Sequence, residues 1–191
     1  MGLRLEEGSF PVGVAPTLEN LETILRERFP EALLSFSLNH DLPDVTVEPS
    51  RLVDLCRFLR DDPALQFDYL CLLGGTDWPA KNQIEVFYHL GSMVLNLPRH
   101  RVILRVFLDR AAPQVDSLAG VWKAADWQER ETYDLLGVEF RGHPDLRRIL
   151  LPSVWEGYPL RKDYAYDADT MVPEILEAEG IDLAEYAGRH K

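Results

Sequence analysis

The residues best suited to do chemistry are Glu129, Arg130, Glu131 and Asp134, with His143 shortly after them. On a helix, Glu131 and Asp134 are i,i+3 neighbours able to share a face, while Glu129 and Glu131 point to different faces. Paired carboxylates can act as acid and base if burial raises one pKa. The plainer reading is a capped, solvated helix whose acids pair with nearby arginines, because no nucleophile or metal-ligand set accompanies them. His143 sits in Gly142-His143-Pro144 and can serve as a ligand or a proton shuttle. His40, His89, His100 and His190 offer no HxH or HExxH spacing to join it, which favours a structural or interface hydrogen bond.

Two basic groups follow, Arg147-Arg148 and Arg161-Lys162-Asp163. Arginine prefers planar, bidentate partners, so they can clamp carboxylates or phosphates. A solvated charge run is the competing reading. Against it, Gly142, Pro144, Pro152, Gly157 and Pro159 suppress regular structure here, and Ile149, Leu150, Leu151, Val154, Trp155, Tyr158 and Leu160 would lie exposed unless something covered them. Irregular backbone carrying aromatics and arginines is interface chemistry. A loop this long is functional or disordered, and its apolar content argues against disorder. Gly74-Gly75-Thr76-Asp77 is not a GxGxxG and reads as a plain turn. Cys56 and Cys71 are expected to be buried free thiols. Two cysteines cannot supply the ligands of an iron–sulfur cluster or a structural zinc.

The elements that must position these residues are legible from periodicity. Residues 17–29 read as a helix capped by Thr17, with Leu18, Leu21, Ile24 and Leu25 on one face and Phe29-Pro30 at its end. Residues 50–61 read as a second, with Leu52, Leu55, Cys56 and Leu59 on its stripe and Asp61-Asp62-Pro63 breaking it. Short strands are expected over 33–38 and 45–47. Longer ones are expected over 65–73, ending at Gly74-Gly75, and over 83–90 and 101–108. Ser117–Ala125 reads as a helical turn. Asp126 is expected to cap a third helix, with Glu129 at the capping-box position and Gly137 at its end. The result is an α+β fold: a mostly antiparallel sheet with helices packed on one face, followed by an extended C-terminal strap. The divisions are an N-terminal arm (1–16), the α+β domain (17–140), the strap (141–165) and an acidic tail (166–191).

The net charge of −12 argues against nucleic acid as the main partner. The strap differs from its surroundings, since residues 141–163 hold five Lys/Arg against three Asp/Glu. No apolar run approaches the ~20 residues of a membrane span, and the N-terminus lacks a signal-peptide core, so neither insertion nor export is expected.

The string Glu129-Arg130-Glu131-x-Tyr133-Asp134-Leu135-x-Gly137-Val138-x-Phe140-x-Gly142-His143-Pro144-x-Leu146-Arg147-Arg148-Ile149 resumes as Gly157-Tyr158-Pro159-Leu160-Arg161-Lys162-Asp163-Tyr164. It resembles the signature of the C-type subunit of the proton-pumping NADH:quinone oxidoreductase, respiratory complex I of the bacterial type. The resemblance covers about residues 17–165.

It implies a subunit with no redox centre and no catalytic residue of its own. The complex carries FMN and iron–sulfur clusters in other subunits. The resemblance also implies a peripheral-arm position on the cytoplasmic side of the cell inner membrane, among neighbouring peripheral-arm subunits. There the chain would pack chiefly on the D-type subunit, which helps form the quinone pocket, and the strap would extend along that partner. Residues expected at the contact are Glu129, Arg130, Glu131, Asp134, His143, Arg147, Arg148, Tyr158, Arg161, Lys162 and Asp163. Two other readings stay open: a stand-alone hydrolase or metal enzyme using Glu131, Asp134 and His143, and a regulatory anion-binding module built on the basic doublets.

Overall fold

A computed structural model describes residues 20–40, 42–95 and 100–165, together with 173, 175–178, 180 and 182. The expected arm over 1–16, the Thr17 cap and most of the acidic tail fall outside these residues.

The first helix, α1 (Leu21–Arg28), buries Leu21 and Leu25. Phe29 leaves helical backbone, as a residue before proline prefers. Two strands follow, β1 (Leu33–Asn39) and β2 (Leu42–Val47). Helix α2 (Leu52–Asp61) grows out of a single 3-10 turn over Pro49–Arg51 and buries Leu52, Leu55, Cys56 and Leu59, the expected stripe. Asp62 is extended ahead of Pro63 and ends it. Then come β3 (Tyr69–Trp78), β4 (Gln83–Gly91) and β5 (Arg101–Asp109). Two short strands, β6 (Gln114–Asp116) and β7 (Glu139–Arg141), flank helix α3 (Ala125–Leu136) and pair in parallel.

The large sheet has the order β1-β2-β5-β4-β3. Three of its four pairings are antiparallel, and β2 with β5 is parallel. Alternation sets its faces. Ile84, Val86, Tyr88 and Leu90 of β4 lie beside Val102, Leu104, Val106 and Leu108 of β5, all buried in one core with the apolar faces of α1 and α2 and with Leu136 of α3. Each such side chain contributes roughly 2 kcal/mol by leaving water. The opposite face carries a polar row: Arg105 bonds Asp44 Oδ1 at 2.7 Å and also Glu85, and the Trp78 indole N–H donates to Glu85 at 2.8 Å.

Four sequence expectations are corrected. The strand expected over 65–73 begins at Tyr69, because Gln66 takes a φ of +43° and the preceding residues fold back onto α2. It does not stop at the glycines, and Gly74-Gly75-Thr76-Asp77 is strand rather than turn. The glycines serve close packing: a Cβ on Gly75 would meet Leu136 Cδ1 at 2.6 Å, and one on Gly74 would meet the Phe87 ring at 2.9 Å. Gly75 lets α3 lie on the inner side of β3, and Gly74 lets Phe87 lie on the outer side. Cys71 is exposed, because a bulge between Leu70 and Leu72 turns it outward, whereas Cys56 is buried. Finally, α3 begins at Ala125, and no side chain caps its first turn. It is entered from the turn over 118–122 instead, which leaves Glu129 free for another task.

Candidate functional site

The polar residues of α3 face the segment that follows it. After Arg141 the chain forms only bends and turns up to residue 165. It does not project from the domain as an extended strap would. Residues 143–163 lie on the domain, held by two buried carboxylates, Asp134 and Asp77, and a third, Glu129, lies beside this seam.

Asp134 is the central one. Its Oδ2 accepts the consecutive main-chain N–H groups of Ile149, Leu150 and Leu151 at 3.0, 2.7 and 3.0 Å, and its Oδ1 accepts Arg148 Nη1 at 2.8 Å. Successive amides aimed at one point form an anion nest, filled here by the chain's own carboxylate. Burial works to raise the Asp134 pKa. The amides of Leu151 and Leu150, the Arg148 guanidinium and the Ile149 amide outweigh it, and the carboxyl is held below its usual range.

Asp77 on β3 is the second. Arg110 grips it through Nε at 2.6 Å and Nη2 at 3.0 Å, and the Lys162 amide donates to it at 2.7 Å. The same guanidinium reaches Asp163 at 2.5 Å. The Arg110 pair, aided by the Lys162 amide, holds Asp77 below the ordinary carboxylate range despite burial.

Glu129 is the third and is fully buried. It accepts the Ser117 hydroxyl at 2.5 Å and the Leu118 amide at 2.6 Å. Burial pushes its pKa up to about 7, against the pull of those two donors and with a contribution from Asp126. Burial also raises Cys56 and Tyr88, with the Glu129 charge adding to both. His143 Nε2 stands 4.0 Å from Glu129 and donates to the Asp126 carbonyl at 3.0 Å. Its Nδ1 accepts the Asp145 amide at 3.0 Å, which assigns the hydrogen to Nε2. His143 is thus a structural bridge between α3 and the turn after β7.

The strap also completes α3. The last carbonyls of a helix lack intrahelical partners. Here the Asp134 carbonyl takes Arg148 Nη1 at 3.0 Å, the Leu135 carbonyl takes the Leu160 amide at 3.0 Å, and the Leu136 carbonyl takes Arg161 Nε at 2.9 Å. Gly137 ends the helix as expected, with φ +76°, and its bare Cα accepts the Tyr158 ring. Arg148 and Arg161 stand 5.5 and 4.9 Å from the centre of that ring.

Glu131, Asp134 and His143 therefore do not converge. Glu131 is exposed, both Asp134 oxygens are occupied, and both His143 nitrogens hold main-chain partners. Among the described residues no group of three or more His, Cys, Asp or Glu is arranged to hold a metal ion. Arg130, nearly buried, lies 5.1 Å from the Trp127 ring centre and donates to the Arg147 carbonyl at 3.2 Å. Arg147 itself is 70% exposed and pairs with Asp145. On the outer side of this region Trp127, Leu150, Val154 and Leu160 are also exposed. Sequence reasoning missed Asp77, Arg110, Ser117 and Gln128, whose Oε1 takes the Leu73 amide at 2.5 Å. The signal for Asp77 was its alternation with the inward positions of β3, available only once the strand is carried through the glycines.

Residues 45–170 match the family model described as the respiratory-chain NADH dehydrogenase, 30 Kd subunit. The chain belongs to this family. The match to the 30 Kd subunit family runs from β2 through the whole strap, so the strap is part of the family pattern. The C-type subunit of NADH-quinone oxidoreductase from Roseiflexus sp. (strain RS-1) is 47% identical over 147 residues, 76% of this chain and 82% of that protein. Its counterpart from Chlorobium phaeobacteroides is 42% identical over 142 residues, 74% and 84% of the two chains. A solved trypsin-resistant fragment of Nqo5 has a TM-score of 0.55 and 27% identity, covering 66% of this chain and 99% of that one. A chain of an archaeal membrane-bound sulfane sulfur reductase shares the fold at a TM-score of 0.60 and 20% identity, over 85% of this chain and 91% of that one. Among the described residues no helix is long and apolar enough to cross a membrane.

Proposed function

We propose that this chain is a non-catalytic structural and assembly subunit of the peripheral arm of NADH:quinone oxidoreductase. In this reading it packs through its strap on the D-type, quinone-site subunit at the cytoplasmic side of the membrane. It supports NADH-to-quinone electron transfer coupled to proton translocation while FMN and iron–sulfur clusters sit in other subunits. The α+β domain over 17–140 is the body and 141–165 the docking element.

The observation that carries this reading is the two-sided chemistry of the strap. Its inward polar groups are spent on Asp134, Asp77 and the end of α3. Its outward side keeps Leu150, Val154 and Leu160 exposed, with Trp127 of α3 exposed as well. Exposed apolar side chains on a segment this firmly anchored suit a protein partner. Glu131, Arg147, Lys162 and the outer part of Asp163 are then available to a partner directly. Glu129, Arg130, Asp134, His143, Arg148, Tyr158 and Arg161 act by holding the strap in shape.

The test is to purify the complex from cells carrying Arg147→Ala with Leu150→Ala. Less assembled complex is expected, with unchanged NADH:quinone turnover per assembled complex. Normal assembly with lost turnover would overturn the scaffold reading.

A further inference from the structure

The two edges of the large sheet differ. The β3 edge is guarded: it is bulged between Leu70 and Leu72, Gln128 of α3 takes the Leu73 amide, and the strap closes on Asp77. The β1 edge has an irregularity of its own between Leu33 and Ser35, but from Ser35 to Asn39 its register is regular and no helix or strap closes on it among the described residues. Its sequence, Leu-Leu-Ser-Phe-Ser-Leu-Asn, holds no charged residue and no proline in a chain of net charge −12. Only Leu33 of the seven is buried, and Leu34 and Leu38 are 59% and 66% exposed. Sheet edges are ordinarily protected by charge, proline or cover, because an open row of N–H and C=O groups templates another strand.

The register says which groups are open. Asn39 pairs with Leu42 across a two-residue link, so this pair exchanges both bonds. By alternation Ser37 opposite Asp44 and Ser35 opposite Thr46 do the same, and Phe36 and Leu38 turn their N–H and C=O groups to the free edge. Pro43 faces Leu38, a position where its missing N–H costs the hairpin nothing. The Ser35 hydroxyl donates to Thr46 Oγ1 at 2.8 Å and Ser37 to the Asp44 carbonyl at 3.4 Å, so neither competes for an incoming strand.

We propose that the free edge of β1 is a β-augmentation site that takes an extended, uncharged segment of a neighbouring subunit as a sixth strand. Main-chain bonds at Phe36 and Leu38 supply the affinity, and Leu34 and Leu38 supply apolar side-chain contacts. The proposal rests on the reading of this chain as a subunit of a larger complex, and it gives that subunit a second contact away from the strap.

Hydrogen exchange on the full chain, alone and within the purified complex, tests it. The Phe36 and Leu38 amides should exchange freely in the lone chain and slow by about tenfold or more in the complex, while Ser37 is protected in both. Equal rates for Phe36 and Leu38 in the two samples, with the chain present in the complex, would overturn the edge contact and leave the subunit reading standing. Protection already present in the lone chain would assign the edge to residues 1–19 or to a second copy, and would also overturn it. Absence of the chain from the complex would overturn both readings. The Leu34→Lys, Leu38→Lys double variant places charges at two exposed positions. It should fold with unchanged melting and lose the protection of Phe36 in the complex, and full retention of that protection would sink the proposal.

Discussion

Asp134 Oδ2 accepts the main-chain N–H of Leu150 at 2.7 Å, across 16 residues of sequence. One carboxylate thereby organises a stretch that has no helix or strand of its own. Asp134→Ala would leave a buried guanidinium contact and three amides without their acceptor, a loss of about 3 kcal/mol or more. Asp134→Asn keeps an acceptor but not the charge and should cost less. Urea unfolding reads the stability, and faster exchange at Ile149, Leu150 and Leu151 locates the damage.

Gly137 and Tyr158 form a second rivet. A Cβ at Gly137 would lie 2.4 Å from the Tyr158 ring and would have to be held at φ +76°. Gly137→Ala should therefore cost about 2 kcal/mol, from the left-handed backbone and the displaced ring together. Combining it with Tyr158→Ala should cost less than the sum of the two single changes, as a double-mutant cycle would reveal.

Glu129 predicts a pH dependence. Its folded pKa of about 7 lies above the ordinary 4.5, so the native state binds more protons between these values. Stability is then greatest, as far as this group is concerned, below pH 4.5, and falls as pH rises toward 7, by about 3 kcal/mol in total. Glu129→Gln should flatten the wild-type slope of urea midpoint against pH in that window. Asp134 and Asp77 act oppositely and in a more acidic range: their stabilisation is present above pH 3.8 and is lost as pH falls through their lowered folded values.

Arg110 ties β3 to the end of the strap. Arg110→Ala should speed exchange of the Lys162 amide while leaving the Ile149–Leu151 amides protected. Arg110→Lys should not restore protection, because an ammonium cannot grip Asp77 through two parallel bonds and reach Asp163 as well.

Much of the fold was legible because periodicity reports burial. The α2 stripe and the alternating residues of β4 and β5 are buried as their spacing demands. The strand through Gly74-Gly75 was not, because the local preference of glycine for turns was outweighed by contacts distant in sequence, with Leu136 on one side and Phe87 on the other. The same holds at Asp126 and Glu129. Their spacing fits a capping box, but Glu129 bonds Ser117 and Leu118, a choice set by how the preceding turn enters the helix. The site residues stood out by type. Their roles did not, because the partners of Asp134 are main-chain amides, which have no signature in sequence.

The strap's bonds to the end of α3 also order events in time. The Leu136 carbonyl waits for Arg161, 25 residues downstream, and the Asp134 carboxylate waits for the amides of residues 149–151. On the ribosome the helix emerges before the donors that finish it. A chain broken off before Leu160 would keep the buried core cluster, whose last residue is Phe140, but would leave the Leu135 and Leu136 carbonyls without the donors that finish the helix.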